Sequence, residues 1–152
     1  MSADNFNQTS TKIVTILIAG TMAKRYQWSE VVDEKHVSRC RNEIGPSARL
    51  EGKVYTIEIA QNYLRIFKYR NYVLLMTRDK SLIKSNDGSV LVVPDGEAIY
   101  VLEFYEPTDF SSRARLSPTN SISDLYDTIV KNVFSVDDFL KNLEEERDKE
   151  DK

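Results

Sequence analysis

Cysteine occurs once in the 152 residues, at Cys40. A lone thiol closes no internal disulfide, which excludes a disulfide-stapled secreted scaffold and points to a reducing compartment, cytoplasm or nucleus. Histidine also occurs once, at His36. A zinc site needs three or four convergent ligands, so one His and one Cys give no metal-binding spacing and no metal is expected. Five Gly and four Pro are too few for a collagenous or proline-rich chain. Neither sign of charge prevails: 21 Lys and Arg stand against 24 Asp and Glu, a net −3. That balance excludes a histone-like polyanion binder and an acidic disordered chain. Apolar runs stop at four or five residues, as in YVLLM, against the ~20 a membrane helix requires, so no membrane span is expected. No secretory leader is expected either, because no apolar h-region follows the start.

What is present is a 41% hydrophobic chain with 30% charged and 10% aromatic residues. A chain of this length buries roughly 68–70% of its unfolded surface, enough to fold without cofactor or disulfide. One α+β domain is expected over residues 12–143, with a flexible polar arm at 1–11 and a charged, frayed tail at 144–152.

Residues Lys12–Ala19 (KIVTILIA) are a short β-branched run closed by Gly20, which predicts a buried strand. Residues 22–44 read as one helix, or two broken near Ser29, stopped by Gly45-Pro46. From Arg49 to Tyr105 the pattern is that of strands: Val54–Ile59, Tyr63–Tyr69, Tyr72–Thr77, Val90–Val93 and Ala98–Tyr105. Asn86-Asp87-Gly88 and Pro94-Asp95-Gly96 carry turn chemistry. The short connections predict an antiparallel five- to six-stranded sheet or partly open barrel. After a polar loop, Ile122, Tyr126, Ile129, Val133, Val136, Leu140 and Leu143 recur at spacings of four and three, the mark of an amphipathic C-terminal helix with a bend allowed near Ser135.

Charge is segregated. Residues 49–84 hold eight bases and three acids, and residues 85–112 hold six acids and no base. Either opposite charges meet across adjacent strands, or the sheet offers a basic face to a partner.

Catalytic constellations are sparse. His36 and Cys40 lie four apart, so a helix would put both on one face, but nothing nearby supplies an oxyanion site. Gly20 precedes a helical stretch alone, without the further glycines of a phosphate loop. The expectation is a non-catalytic protein.

Two surfaces are candidates for binding. Tyr63, Arg65, Phe67 and Lys68, continuing to Tyr69, Arg70 and Tyr72, interleave aromatic and basic residues. On a small barrel such a face stacks and neutralises single-stranded nucleic acid. The competing reading puts Phe67 in the core and the bases at a solvated edge. The other surface is the C-terminal helix, with Phe139 and Leu143 on its apolar stripe. Glu144–Glu146 lie near its C-terminus, where the helix dipole disfavours them, so the last turn frays or meets a basic partner. In SSRARLSP, a phosphate on Ser117 would lie within reach of Arg113 and Arg115.

The stretch NYVLLMTRDKSLIKSN (Asn71–Asn86) resembles the strand–turn–strand segment of Ran-binding domains, through Leu74, Leu75, Met76, Arg78, Asp79, Lys80 and Leu82. It spans about a tenth of the chain, and Trp28 does not occupy the place of that family's upstream tryptophan. The resemblance implies a pleckstrin-homology-like barrel capped by a C-terminal helix, a design used for protein or lipid binding. The combined expectation is a protein–protein interaction module, an adaptor or small subunit that contacts another protein or its own copy through Tyr69, Arg70, Tyr72, Phe139 and Leu143. The alternative is a single-stranded nucleic-acid binder using Tyr63, Arg65, Phe67 and Lys68.

Overall fold

From residue 48 onward, β-branched and aromatic residues dominate and the chain runs as long extended strands. The computed structural model describes residues 3–76, 90–133 and 136–150. In chain order the elements are α1 (Ala3–Met22), β1 (Ser29–Glu30), α2 (Glu34–Ile44), β2 (Ala48–Ile59), β3 (Asn62–Met76), β4 (Val90–Tyr105), β5 (Ser112–Arg115), α3 (Asn120–Val133) and α4 (Val136–Glu150). The class is α+β, with one open, antiparallel, five-stranded sheet in the order β1-β2-β3-β4-β5. The contacts gather into two compact units, residues 30–115 and residues 1–29 with 116–152, where one domain over 12–143 was expected.

In the unit 30–115 the antiparallel meander of five strands follows expectation, but the strand boundaries do not. Tyr63–Tyr69 and Tyr72–Met76 are halves of one strand, β3, and Val90–Val93 and Ala98–Tyr105 are halves of β4. The turn expected at Pro94-Asp95-Gly96 is a bulge: β3–β4 pairing skips from Tyr69↔Ile99 to Asn71↔Asp95, and Gly96 takes φ +86°. Residues suited to a tight turn equally suit a bulge, which needs one positive φ and leaves the chain direction unchanged. The β2–β3 turn is made by Ala60 and Gln61 at φ +51° and +65°, a left-handed pair without the Asn-Gly or Asp-Gly signature. Asn86-Asp87-Gly88 and residues 77–86 of the Ran-binding-like stretch lie outside the described residues.

Helix α2 begins at Asp33, whose carboxylate accepts the Lys35 N–H at 2.9 Å, and stops at Gly45. Cys40 joins Val31, Val54, Phe67 and Val101 in a buried apolar cluster flanked by Val37, Ile44, Leu50 and Tyr69. At roughly 1.5–3 kcal/mol per fully buried large apolar side chain, this cluster is a main stabiliser of the unit.

In the unit formed by residues 1–29 and 116–152, α1 packs on α3. The expected strand at 12–19 is the middle of α1, and residues 3–11, expected as an arm, are its first turns. Among the described residues of α1 the buried side chains are those of Ser10, Val14, Leu17 and Thr21, spaced four, three and four apart, which with buried Gly20 make a helical seam. Its outer members are hydroxyl residues with partners: Ser10 Oγ accepts the Ser117 N–H at 3.1 Å, and Thr21 Oγ1 accepts the Trp28 indole N–H at 3.0 Å. The Asn132 side-chain amide donates to the Thr21 carbonyl. Ile122, Leu125, Tyr126 and Ile129 form the facing stripe of α3. Ser135, the expected bend, lies outside the described residues. Residues 144–150, expected as a frayed tail, continue α4.

Candidate functional site

Among the described residues no helix is long and apolar enough to cross a membrane, and no group of three or more His, Cys, Asp or Glu side chains is placed to hold a metal. What could act chemically lies between α2 and strands β3–β5. Arg65, fully buried near the start of β3, donates through Nη2 to Glu43 Oε2 and Glu103 Oε2, both at 2.9 Å, and through Nη1 to the Phe110 carbonyl at 2.7 Å. Glu103 also accepts from Arg115 at 3.0 Å, and Glu43 Oε1 accepts the Ser112 N–H at 3.0 Å. Arg39 lies 3.9 Å from Glu43 Oε1 as well, so the buried Arg65–Glu103 pair is flanked by Glu43 and by the more exposed Arg39 and Arg115, and no carboxylate of the cluster is left without a cation. Burial and the neighbouring Glu103 push the Glu43 carboxyl up. The cluster ties the segment before β5, including Phe110 at φ +64°, to α2 and the sheet.

His36 and Cys40 both lie on the buried face of α2, as their spacing predicts. The His36 ring stacks on Phe110 (4.4 Å between centroids) and tilts against Tyr105 (4.7 Å), and among the described residues its Nε2 has no hydrogen-bond partner. Burial, then the Arg65 charge, lowers its pKa to about 4, so the ring is neutral at pH 7. Burial raises the Cys40 thiol to about 11. A protonated, enclosed thiol is not a nucleophile, and Cys40 serves as a small core residue. Gly20, singled out for a phosphate loop, sits inside α1, and its missing Cβ makes room for the Tyr26 ring.

The expected binding residues fall into separate groups. Arg65 and Phe67 are fully buried, which corrects their assignment to a nucleic-acid face: neither can meet a base or a phosphate. Tyr63 lies 5.9 Å from the Tyr105 ring, and the Lys68 ammonium is 5.8 Å from the Tyr100 ring, both half-buried. Tyr69 flanks the core cluster. Arg70 binds Glu51 at 2.7 Å, and Tyr72 lies under the Arg49 guanidinium at 4.9 Å. The segregated blocks therefore meet across strands at Arg65–Glu103, whereas Arg70–Glu51 pairs two residues of the basic block. Arg113 and Arg115 are paired with Glu106 and Glu103.

Phe139 and Leu143 are on α4, and each is about half exposed, at 51% and 50%. Leu140, beside them at 53%, belongs to the same stripe. Every described α4 side chain from Phe139 to Lys149 is exposed. A second exposed apolar surface escaped the sequence reading: among the described residues the strands β3 and β4 pair only with each other beyond Tyr72, and the cross-strand neighbours Leu74 and Val92 are exposed on one face, with Val73 exposed on the other. Its signal was the pair of unbroken runs YVLLM and VLVV, which also describe a central strand. Comparison with family models, with curated proteins and with solved structures finds no match.

Proposed function

We propose that this chain is a non-catalytic protein–protein interaction module, a small subunit or adaptor of an intracellular complex, whose contact surface is the apolar stripe of α4. The observation that carries this reading is the exposure of Phe139, Leu140 and Leu143 on one helix face, at i, i+1 and i+4. Large apolar side chains clustered on one helix are a recognition feature, because burying each gains roughly 1.5–3 kcal/mol. Polar residues around them, among them Glu144–Glu146 and Lys141, fix orientation rather than affinity. An intracellular site is proposed on the lone thiol. The pleckstrin-homology-like part of the reading draws its support from the sequential antiparallel meander alone.

The test is affinity purification of the tagged chain from its native cell. The wild type retains a defined partner, and Phe139→Asp with Leu143→Asp loses it while circular dichroism stays unchanged. Unchanged retention refutes this surface. Absolute mass by light scattering shows whether the partner is a second copy.

A further inference from the structure

The inner side of β2 is paired with β3, but among the described residues no strand covers its outer side along its first residues. Tyr72 N–H donates to the Ser47 carbonyl at 2.7 Å, and the register continues through Ala48↔Asn71 and Arg49↔Arg70. Main-chain groups alternate in direction along an antiparallel strand, so those of Ser47 and Arg49 face β3 and those of Leu50 point away from it. On that outer side β1 is two residues long, and the Val31 N–H donates to Val54 O at 2.8 Å, which fixes it near the far end of β2. Among the described residues, no strand pairs with the outer side of Ala48–Leu50; the Ala48 N–H reaches the Gly45 carbonyl at 3.4 Å, which leaves the Ala48 carbonyl and both main-chain groups of Leu50 for an added strand. Unpaired strand edges are templates for another strand, and no proline blunts this one.

Beside this edge lies a groove of about 750 Å³ between α2 and β2. Buried Val31 and Val54 and half-buried Val37 and Leu50 give it apolar walls, and Val32, 84% exposed, forms a lip. Its charged lining is Arg41, Arg49 and Lys53 against Glu30 and Glu34. Arg41 binds Glu34 at 2.8 Å and Lys53 binds Glu30 at 3.4 Å, pairs exposed enough to exchange for a new partner at little cost.

We infer that residues 30–115 bind an extended peptide as an added strand along Ala48–Leu50, with an apolar side chain in the α2–β2 groove and an acidic residue against Arg49. An extended chain is the occupant the geometry selects, because only it presents free main-chain donors and acceptors to a strand edge; a helix has already used its own. A second copy of β2 is disfavoured, since Arg49 and Lys53 would meet like charges across the new pair. The excess of cations in the lining favours an acidic segment. This inference rests on the reading of the chain as an interaction module, and it names a surface distinct from α4.

The experiment selects binders to the full chain from a random-peptide display library and maps them by amide chemical-shift perturbation. Selected peptides alternate apolar residues, carry Asp or Glu, and shift the amides of Ala48, Leu50 and Gly52. N-methylating the peptide at alternate positions abolishes binding. Val32→Asp and Arg49→Glu, both at exposed positions, each weaken binding about tenfold, which is ~1.4 kcal/mol. Leu140→Asp with Leu143→Asp leaves it unchanged. The inference is overturned by a library without binders, by basic or helical consensus peptides, or by shifts confined to α4. Shifts confined to α4 leave the interaction-module reading standing. Edge binding combined with a native partner that survives the α4 substitutions refutes the α4 surface alone.

Discussion

Arg65 is the residue whose loss the fold tolerates least. Its guanidinium has no access to water and satisfies Glu43, Glu103 and the Phe110 carbonyl together. Removing one partner of a buried ionic cluster costs about 3–5 kcal/mol, because the remaining charges are stranded. Arg65→Met is expected to lower stability by that amount in urea unfolding, and adding Glu103→Met should recover part of it by removing one stranded carboxylate. His36 makes a second prediction at this scale. The unfolded chain protonates the imidazole near its ordinary value of 6.5, whereas the folded protein resists until about pH 4. Between those values the unfolded state binds more protons, so stability present above about pH 6.5 is lost as pH falls towards 4, by up to about 3 kcal/mol. Glu43, with its carboxyl raised, has the opposite slope, which is retained when His36 is replaced. Urea titrations of wild type and His36→Phe at pH 7 and pH 4.5 isolate the histidine: the variant is expected to lose less stability between the two, and equal losses would refute the assignment.

Elements are where sequence pattern and structure part. Of the helix expected over 22–44 only the C-terminal part, Glu34–Ile44, forms: its end at Gly45-Pro46 was legible, whereas residues 23–33 are not helical and carry β1, and the start at Asp33 was not read. Helix α1 was not legible, because two of its buried seam side chains are Ser10 and Thr21, and counting only apolar residues leaves the β-branched run at 13–18 to dominate. Their burial depends on partners distant in sequence, Ser117 and Trp28, which no local window contains. The same blindness hid Arg65: a base in a strand looks solvated until Glu103 lies opposite it in register. In α1, Gly20 makes a prediction of its own. A methyl there overlaps the Tyr26 ring, so Gly20→Ala loses about 1–3 kcal/mol to crowding, against a helix-propensity gain of about 1 kcal/mol. In a double-mutant cycle the crowding disappears on the Tyr26→Ala background, where Gly20→Ala becomes neutral or stabilising; additive effects would refute the contact.

At the scale of the whole molecule, the C-terminal stripe divides between two helices with different fates. Its 4–3 spacing runs from Ile122 to Leu143, and it foretold a face without saying what covers that face. In α3 Ile122, Leu125, Tyr126 and Ile129 are buried, while in α4 Leu140 and Leu143 remain half exposed. Stability and recognition should therefore separate along one continuous sequence pattern. Ile129→Ala, at a fully buried site, is expected to cost about 2–5 kcal/mol and to lower the thermal midpoint. Leu140→Asp with Leu143→Asp should change stability by no more than about 0.5 kcal/mol per site, the usual range for surface positions. The same pair should raise solubility and abolish retention of the native partner. A large drop in thermal midpoint for the α4 pair would mean that those leucines support the fold of the isolated chain, and the recognition role assigned to them would fall.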